Sequence, residues 1–238
     1  MTGILIILGL LTGSFLNVLI YRIPRGQAFV LGRSRCTHCQ HDLGILDLIP
    51  LASYLFLRGK CRYCKASISI QYPLVEIASA LIWATAGSVI GIIILELFLV
   101  LAIIDYQHFV ILDSSLIALL IVAIAWHGKS IMSWSYIATA LGCGGFFLIL
   151  WLISRGTWIG FGDVKLAAVL GLLFGFPGAI AVIYIGVILG GLLGVGILLF
   201  KKGTMKTKVP FGTILALAGL VYWYFGEPLL LWVDRMLY

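Results

Sequence analysis

The stretch Gly91-Ile-Ile-Ile-Leu-Glu96-Leu-Phe-Leu-Val-Leu-Ala-Ile-Ile-Asp105 decides the fold class, because apart from two carboxylates it offers water almost nothing to solvate. A helix needs about 20 mostly apolar residues, at about 1.5 Å rise each, to cross a bilayer. Runs of this character recur along nearly the whole chain, and residues 22–73 are the one long exception. The 238 residues are 62% hydrophobic and only 11% charged, against roughly 25% charged in soluble domains. So much apolar surface has to be solvated by lipid, which predicts an all-α polytopic membrane protein.

Working outward from that stretch, the apolar runs predict eight transmembrane helices near residues 2–21, 74–90, 91–105, 113–127, 133–153, 163–176, 178–200 and 211–233. Six or seven spans are the alternative, since several segments are short and the split near Gly91 is the least marked. The implied organisation is a first transmembrane helix (1–21), a cytoplasmic loop domain (22–73) and a membrane core (74–238). The run from Thr2 to Ile20 has no basic residues before it and no Ala-x-Ala after it, so it reads as a retained span rather than a signal peptide. Small residues recur at four-residue spacing in two segments, as Gly9, Gly13 and Asn17 and as Gly186, Gly190 and Gly194. That pattern lets helix backbones approach closely in lipid.

A formal net charge of +7 could suggest nucleic acid, but the basic residues gather in loops on one side of the inferred membrane. Residues 22–73 hold eight of them and Lys201–Lys208 four more. The positive-inside rule places both segments, and with them the loops 106–112 and 154–162, on the cytoplasmic side. The connections near Ser88, Lys129 and Pro177 then face outward, as do both termini. The partner of the charge is a lipid bilayer and not nucleic acid.

Within the basic loop, Cys36-Thr-His-Cys39 and Cys61-Arg-Tyr-Cys64 form two C-x2-C pairs separated by 21 residues. Each pair can present two thiolates to one ion, and four complete a closed tetrahedral shell with no position for a reacting water, so the metal would be a structural zinc. Two disulfides are the rival reading, which a cytoplasmic loop in a reducing compartment disfavours. His38 and His41 read as bystanders. Cys143, between two glycines in an apolar span, reads as a small buried hydrophobe.

The chain has nine acidic residues, and a carboxylate at membrane depth costs at least a few kcal/mol. Asp42 and Asp47 lie in the loop and Asp234 near the C terminus, where none needs explanation. Asp105 ends one span and Asp163, in Gly160-Phe-Gly162-Asp163-Val-Lys165, opens another, both at the inferred cytoplasmic side. Asp163 and Asp113 can each be read as helix N-caps, a role that suits Asp. Asp105 cannot, since a helix C terminus disfavours negative charge. Gly160 and Gly162 remove side chains on the approach to Asp163, which would let an extended peptide lie against its carboxylate. Glu96 lies nine helical steps before Asp105, on the opposite face, and is not its partner. Glu76 reads as a cap or an anchor for the metal loop. Two carboxylates held together share a proton and form an acid and base pair able to activate water. Neither a Ser-His or Cys-His arrangement nor a His-Glu-x-x-His site competes with them.

Six ordered motifs now stand together: Gly13-Ser-Phe-Leu-Asn17-Val-Leu-Ile-Tyr-Arg22-Ile-Pro24, the two cysteine pairs, Gln71-Tyr-Pro-Leu-Val-Glu76, Asp105, Gly160-Phe-Gly-Asp163-Val-Lys165 and Lys208-Val-Pro-Phe-Gly212. In this combination the chain resembles the bacterial type IV prepilin peptidases, membrane aspartyl peptidases of the GxGD class. The resemblance implies cleavage of the basic leader of prepilins or pseudopilins at the cytoplasmic membrane face, with Asp105 and Asp163 as the catalytic pair. Gly160, Gly162, Lys165 and Asp113 would support them. Many family members also methylate the new amino terminus using S-adenosylmethionine, an activity associated with the tetracysteine loop. The chain departs from the pattern where many members carry Pro-Asp and this one has Ile111-Leu112-Asp113. Its short loop and its motif wording are closer to competence-type peptidases of Gram-positive bacteria. An ion-coupled transporter using boundary carboxylates is the alternative class of function, and a membrane scaffold with a zinc docking module is a third.

Overall fold

The apolar runs are helical throughout the computed structural model, which describes residues 2–30, 32–199 and 209–237. The α-helices among those residues are α1 (Thr2–Arg22), α2 (Ala52–Phe56), α3 (Gln71–Thr85), α4 (Val89–His108), α5 (Asp113–His127), α6 (Trp134–Ser154), α7 (Phe161–Leu199) and α8 (Phe211–Leu237). No strand is formed among the described residues, only two isolated bridges. The basic stretch Lys201–Lys208, which includes the first residue of the Lys208-Val-Pro-Phe-Gly212 motif, lies outside the described residues.

All eight predicted segments fold as helix, but among the described residues five stretches are long and apolar enough to cross a membrane: Thr2–Arg25, Val89–His108, Asp113–Met132, Trp134–Ser154 and Phe161–Ile197. Helix α3 has 15 residues, short of the roughly 20 that a straight crossing takes. The segments predicted at 163–176 and 178–200 run together as α7, interrupted by non-helical backbone at Gly175 and Phe176 just before Pro177. Gly175 takes φ 60°, and a Cβ there would lie 2.8 Å from the Tyr136 ring, so only glycine fits. The break expected at Gly91 is displaced. Gly87, at φ 74°, follows the end of α3, and the Gly91 N–H donates to Ser88 Oγ at 3.0 Å in the first turn of α4. The displaced boundary gives α4 a length of 20 residues.

The chain divides into two compact units, Met1–Glu96 and Leu97–Tyr238. In the first, α1 and α3 pack antiparallel with small residues at the contact. A Cβ on Gly9 would lie 2.5 Å from Ala80 Cα, and one on Gly13 would lie 2.7 Å from Glu76 Cα. One turn further along, Asn17 Nδ2 donates to the Tyr72 carbonyl at 3.1 Å. This contact answers the spacing of Gly9, Gly13 and Asn17 read from sequence. Glu96 is satisfied in the same unit, its Oε1 accepting from Ser79 Oγ (2.7 Å), Trp83 Nε1 (2.9 Å) and Thr12 Oγ1 (3.1 Å). These bonds agree with the helical phase that separates Glu96 from Asp105.

In the second unit, α6 and α7 meet at equally close glycine contacts, Gly171 against Ala140 and Gly144 against Ala168. Cys143 is buried there with Phe147, Val164, Ala167 and Ala179, as a small apolar side chain would be. Helix α8 packs on α7 through Gly186, which faces Leu215, and Gly190, which faces Ile214. Gly194 has no such neighbour among the described residues, so the spacing of glycines overstates this contact by one turn. Phe98, fully buried, stacks on Phe174 at 6.2 Å.

Candidate active site

Asp105 stands in the last turn of α4 and Asp163 in the first turn of α7, and both are buried, at 4% and 7% exposure. Their carboxylates lie within Coulombic reach of each other. The two are held differently. The Thr213 N–H donates to Asp105 Oδ2 at 2.6 Å, and Thr213 Oγ1 sits 3.0 Å from that same oxygen and 2.9 Å from the Ala102 carbonyl. The single hydroxyl proton serves one of those acceptors at a time, so the backbone N–H is the constant donor. Asp163 Oδ2 accepts the Gly160 N–H at 3.1 Å, which is the cap-like bond expected of an acid in a first turn. Asp163 Oδ1 is buried and has no hydrogen-bond partner among the described residues. A desolvated carboxyl oxygen without a donor costs free energy unless it carries a proton or meets a ligand.

Each aspartate is positioned by apolar packing beside it. Val164 anchors the first turn of α7 in the cluster of Phe147 and Ala167, and Phe211, opening α8, lies 5.7 Å from the Phe147 ring. Ile111, from the connection between α4 and α5, is seated between two glycines. A Cβ on Gly162 would be 3.0 Å from Ile111 Cβ, and one on Gly212 would be 2.6 Å from Ile111 Cδ1 and 3.0 Å from Asp105 Oδ2. The space left by Gly162 is therefore filled by the chain itself rather than left open to an extended peptide. A Cβ on Gly160 would lie 3.4 Å from Asp163 Oδ2 and 3.9 Å from the Gly162 backbone nitrogen, both ordinary contacts.

Lys165 and Asp113 are brought together, Nζ to Oδ1 at 2.7 Å, with both side chains well exposed. Asp113 is not the N-cap read from sequence. It is the first residue of α5, the preceding Leu112 holds the cap position without a side-chain bond, and the carboxylate turns to Lys165. Thr213 and Ile111 carried no chemical signature of their own. Thr213 directly follows the Lys208-Val-Pro-Phe-Gly212 motif, and an oxygen-bearing residue there was the available signal.

In the first unit, Cys36, Cys39, Cys61 and Cys64 place their sulfurs within 4.8 Å of one another. A tetrahedral ion with sulfurs at about 2.3 Å requires them about 3.8 Å apart, and Cys36 Sγ to Cys64 Sγ measures 3.9 Å. That separation excludes a disulfide between those two. The two knuckles repeat each other. Cys36 N–H donates to His41 O and Gln40 N–H to Cys36 O, while Cys61 N–H donates to Ala66 O and Lys65 N–H to Cys61 O. Gln40 and Lys65 take the same left-handed backbone, and the bridges Arg35 with Asp42 and Lys60 with Ser67 close each knuckle. The Cys39 backbone N–H, against a burial penalty and aided by that of His38, pulls the Cys36 thiol down to about 6, so it is a thiolate near neutral pH. Cys64 goes the other way. Despite the Ala66 backbone, burial and the neighbouring thiols push it up to about 11. His41 stacks on Tyr63 at 3.7 Å rather than joining the sulfurs. Asp47 ties the intervening segment to the second knuckle through Arg62 Nε (2.7 Å) and Tyr63 Oη (3.2 Å), and accepts the Gly44 N–H (3.1 Å) within the segment. Glu76 holds the same segment to α3, its Oε2 accepting the Leu51 N–H at 2.8 Å.

Comparison with known proteins follows this division. Residues 7–90 match the bacterial peptidase A24 N-terminal domain and residues 92–195 the type IV leader peptidase family. The prepilin leader peptidase/N-methyltransferase of Stutzerimonas stutzeri is 35% identical, over 94% of this chain and 90% of its own length. The protein of the same name from Pseudomonas putida is 33% identical with the same coverage, and that from Bacillus subtilis 30% identical over 99% of both chains. No solved structure matches.

Proposed function

Because the chain belongs to the type IV leader peptidase family, we propose that it is a membrane aspartic endopeptidase that removes the leader of type IV prepilins or pseudopilins, with Asp105 and Asp163 as its catalytic pair. The observation that carries this reading is the arrangement of two buried carboxylates in mutual reach, one accepting the Thr213 N–H and one with an oxygen left without a donor. The basic loop sets the side of the reaction: by the positive-inside rule it lies in the cytoplasm, and the protein lies in the bacterial cytoplasmic membrane.

The Thr213 N–H favours negative charge on Asp105, so this carboxylate takes a proton from the attacking water. The unpartnered oxygen of Asp163 favours the protonated acid, which hands its proton to the carbonyl oxygen of the scissile peptide as the water oxygen bonds to carbon. Collapse of the resulting diol breaks the C–N bond and returns the proton held on Asp105 to the leaving amine, while Asp163 regains its own. No covalent enzyme intermediate is needed. Ile111, between Gly162 and Gly212, has to give way or contact the substrate for a peptide to reach both acids. Lys165 and Asp113 support the site as an exposed ion pair between α7 and α5 and do not act on the reacting atoms.

The four cysteines fit a zinc ion, which would join the two knuckles through a closed shell of sulfurs and supply structure rather than chemistry. The second half of the relatives' name extends the reading to methylation of the new amino terminus, with S-adenosylmethionine as methyl donor. The described residues form no glycine-rich turn from strand to helix that would cradle such a nucleoside.

Co-expression with candidate prepilins, followed by mass measurement of the mature amino terminus, tests both activities. A product shortened by the leader is the expected result, with a further methyl mass if the second activity is present. Full-length prepilin alongside well-expressed protein, or unimpaired cleavage by Asp105→Asn or Asp163→Asn, refutes the peptidase assignment.

A further inference from the structure

Between the two cysteine knuckles runs His41-Asp-Leu-Gly-Ile45-Leu-Asp-Leu-Ile-Pro50-Leu-Ala-Ser-Tyr-Leu55-Phe56, a segment of a basic loop that is itself strongly apolar. Its large side chains are not used to build a core. Ile45 and Phe56 are each 87% exposed, Leu55 72% and Leu46 65%, and Leu48 and Ile49 are exposed as well. These residues sit on a short 3-10 turn (Ile45–Asp47) and on α2, which pack against each other. A contiguous apolar surface of this kind on a soluble loop marks a contact site.

The polar groups of the segment say where that contact is. The Leu51 N–H, at the start of α2, donates to Glu76 Oε2. Glu76 lies five residues into α3 from Gln71, roughly 7.5 Å along the helix axis at about 1.5 Å per residue. Its side chain leans back toward the helix start, and the Leu51 N–H is nevertheless held at the level of the first turns of α3 rather than above them. The facing helix agrees, since Gly13 of α1 packs on Glu76 and Asn17 bonds to Tyr72. Tyr21 and Tyr72, at the loop ends of these two helices, are the residue type enriched where a bilayer meets water. The segment thus returns to membrane level in the middle of the loop. Arg58 and Lys60, both exposed, follow it directly and provide the positive charge that anionic headgroups attract.

We infer that residues 45–56 form an interfacial wedge seated in the headgroup and upper acyl region of the bilayer. The loop is then moored to its leaflet by apolar contact as well as by α1 and α3. The partner is lipid, and anionic lipid in particular. Asp47 faces the second knuckle and not the apolar surface, so the wedge carries no carboxylate into the membrane. This inference is independent of the peptidase reading.

The test uses the full chain, zinc-loaded, in nanodiscs of phosphatidylethanolamine and phosphatidylglycerol, with p-benzoylphenylalanine replacing Phe56. A second protein carries it at Ile45, and a control carries it at Thr37, exposed on the first knuckle. After irradiation, mass spectrometry of the labelled peptide should find lipid adducts at positions 56 and 45 at several times the yield at 37. The yield should fall when phosphatidylglycerol is omitted. Equal yields at all three positions, or crosslinks at 45 and 56 to a second copy of the chain instead of to lipid, overturn the inference. Zinc content measured on each protein shows that the loop has folded, and the two wedge positions guard against failure of either one.

Discussion

The cysteine loop and the carboxylate site solve the problem of holding reactive groups together in opposite ways. In the loop each knuckle is closed by bonds between near neighbours, Cys36 to His41 and Cys61 to Ala66, and the second knuckle repeats the first. The carboxylate site draws on α4, the connection after it, α7 and α8, and its shortest bond joins Thr213 to Asp105, 108 residues apart in sequence. A local device depends on its spacing, and damage to it stays local. A distributed device depends on every element that converges on it, and it can be altered one atom at a time.

The largest test of this contrast is charge removal at the distributed site. Asp105→Asn or Asp163→Asn should lower the cleavage rate by about 10²–10⁴ or more, the usual contribution of a positioned acid or base. Metal content should be unchanged, and a parallel loss of zinc in these variants would mean that the two regions are not separable. Next in size is the reciprocal experiment. Cys36→Ser should abolish stoichiometric zinc and expose the loop to proteolysis between the knuckles, with cleavage of prepilin reduced but not lost. A variant that keeps its zinc while losing all cleavage would refute the closed structural site.

A smaller effect sharpens the comparison within the carboxylate site. Thr213→Val keeps the N–H to Asp105 and removes only the hydroxyl, so kcat should fall by about tenfold with little change in KM, in line with about 1.5 kcal/mol for a hydrogen bond to a charged group. Thr213→Ser should restore it. Equal losses in the Val and Ser variants would indicate packing rather than hydrogen bonding.

The smallest effect belongs to Asp47. Partial burial opposes its charge, but the Gly44 N–H, Arg62 and Tyr63 prevail and hold its carboxyl below the ordinary value. A folded value below the unfolded one stabilises the loop at pH above the unfolded value of about 4, and that contribution is lost as pH falls through the folded value. Hydrogen exchange across residues 44–62 should therefore show wild type more protected than Asp47→Asn at pH 5 and above, as the unfolded value of about 4 requires, with the gap closing in stronger acid. A gap that persisted in strong acid would rule out the ionised carboxylate as its source.

What could be read in advance follows the same division. The cysteine pairs were legible because two residues three apart on a turn bring their sulfurs together whatever the remainder of the chain does. Glu96 could be set aside because a rigid helix carries its phase from residue to residue. Asp113 was misread as a cap because its partner, Lys165, lies 52 residues away, and no local rule counts an ion pair between α5 and α7. Gly162 was legible as a position that excludes a side chain, but its neighbour was not: Ile111 fills the space that sequence left open for a peptide.

From sequence alone came the membrane class, the positions of the helices, the tetracysteine motif and the two aspartates of interest, because hydrophobic patterning, short-range spacing and the cost of charge in lipid are all properties of the chain read in order. The tertiary structure decided which carboxyl oxygen has a donor and which has none, the seat of Ile111 between two glycines, and the return of residues 45–56 to the level of the first turns of α3. Each of these depends on groups far apart in sequence, and the packing of helices, which the linear pattern permits in several ways, selects one.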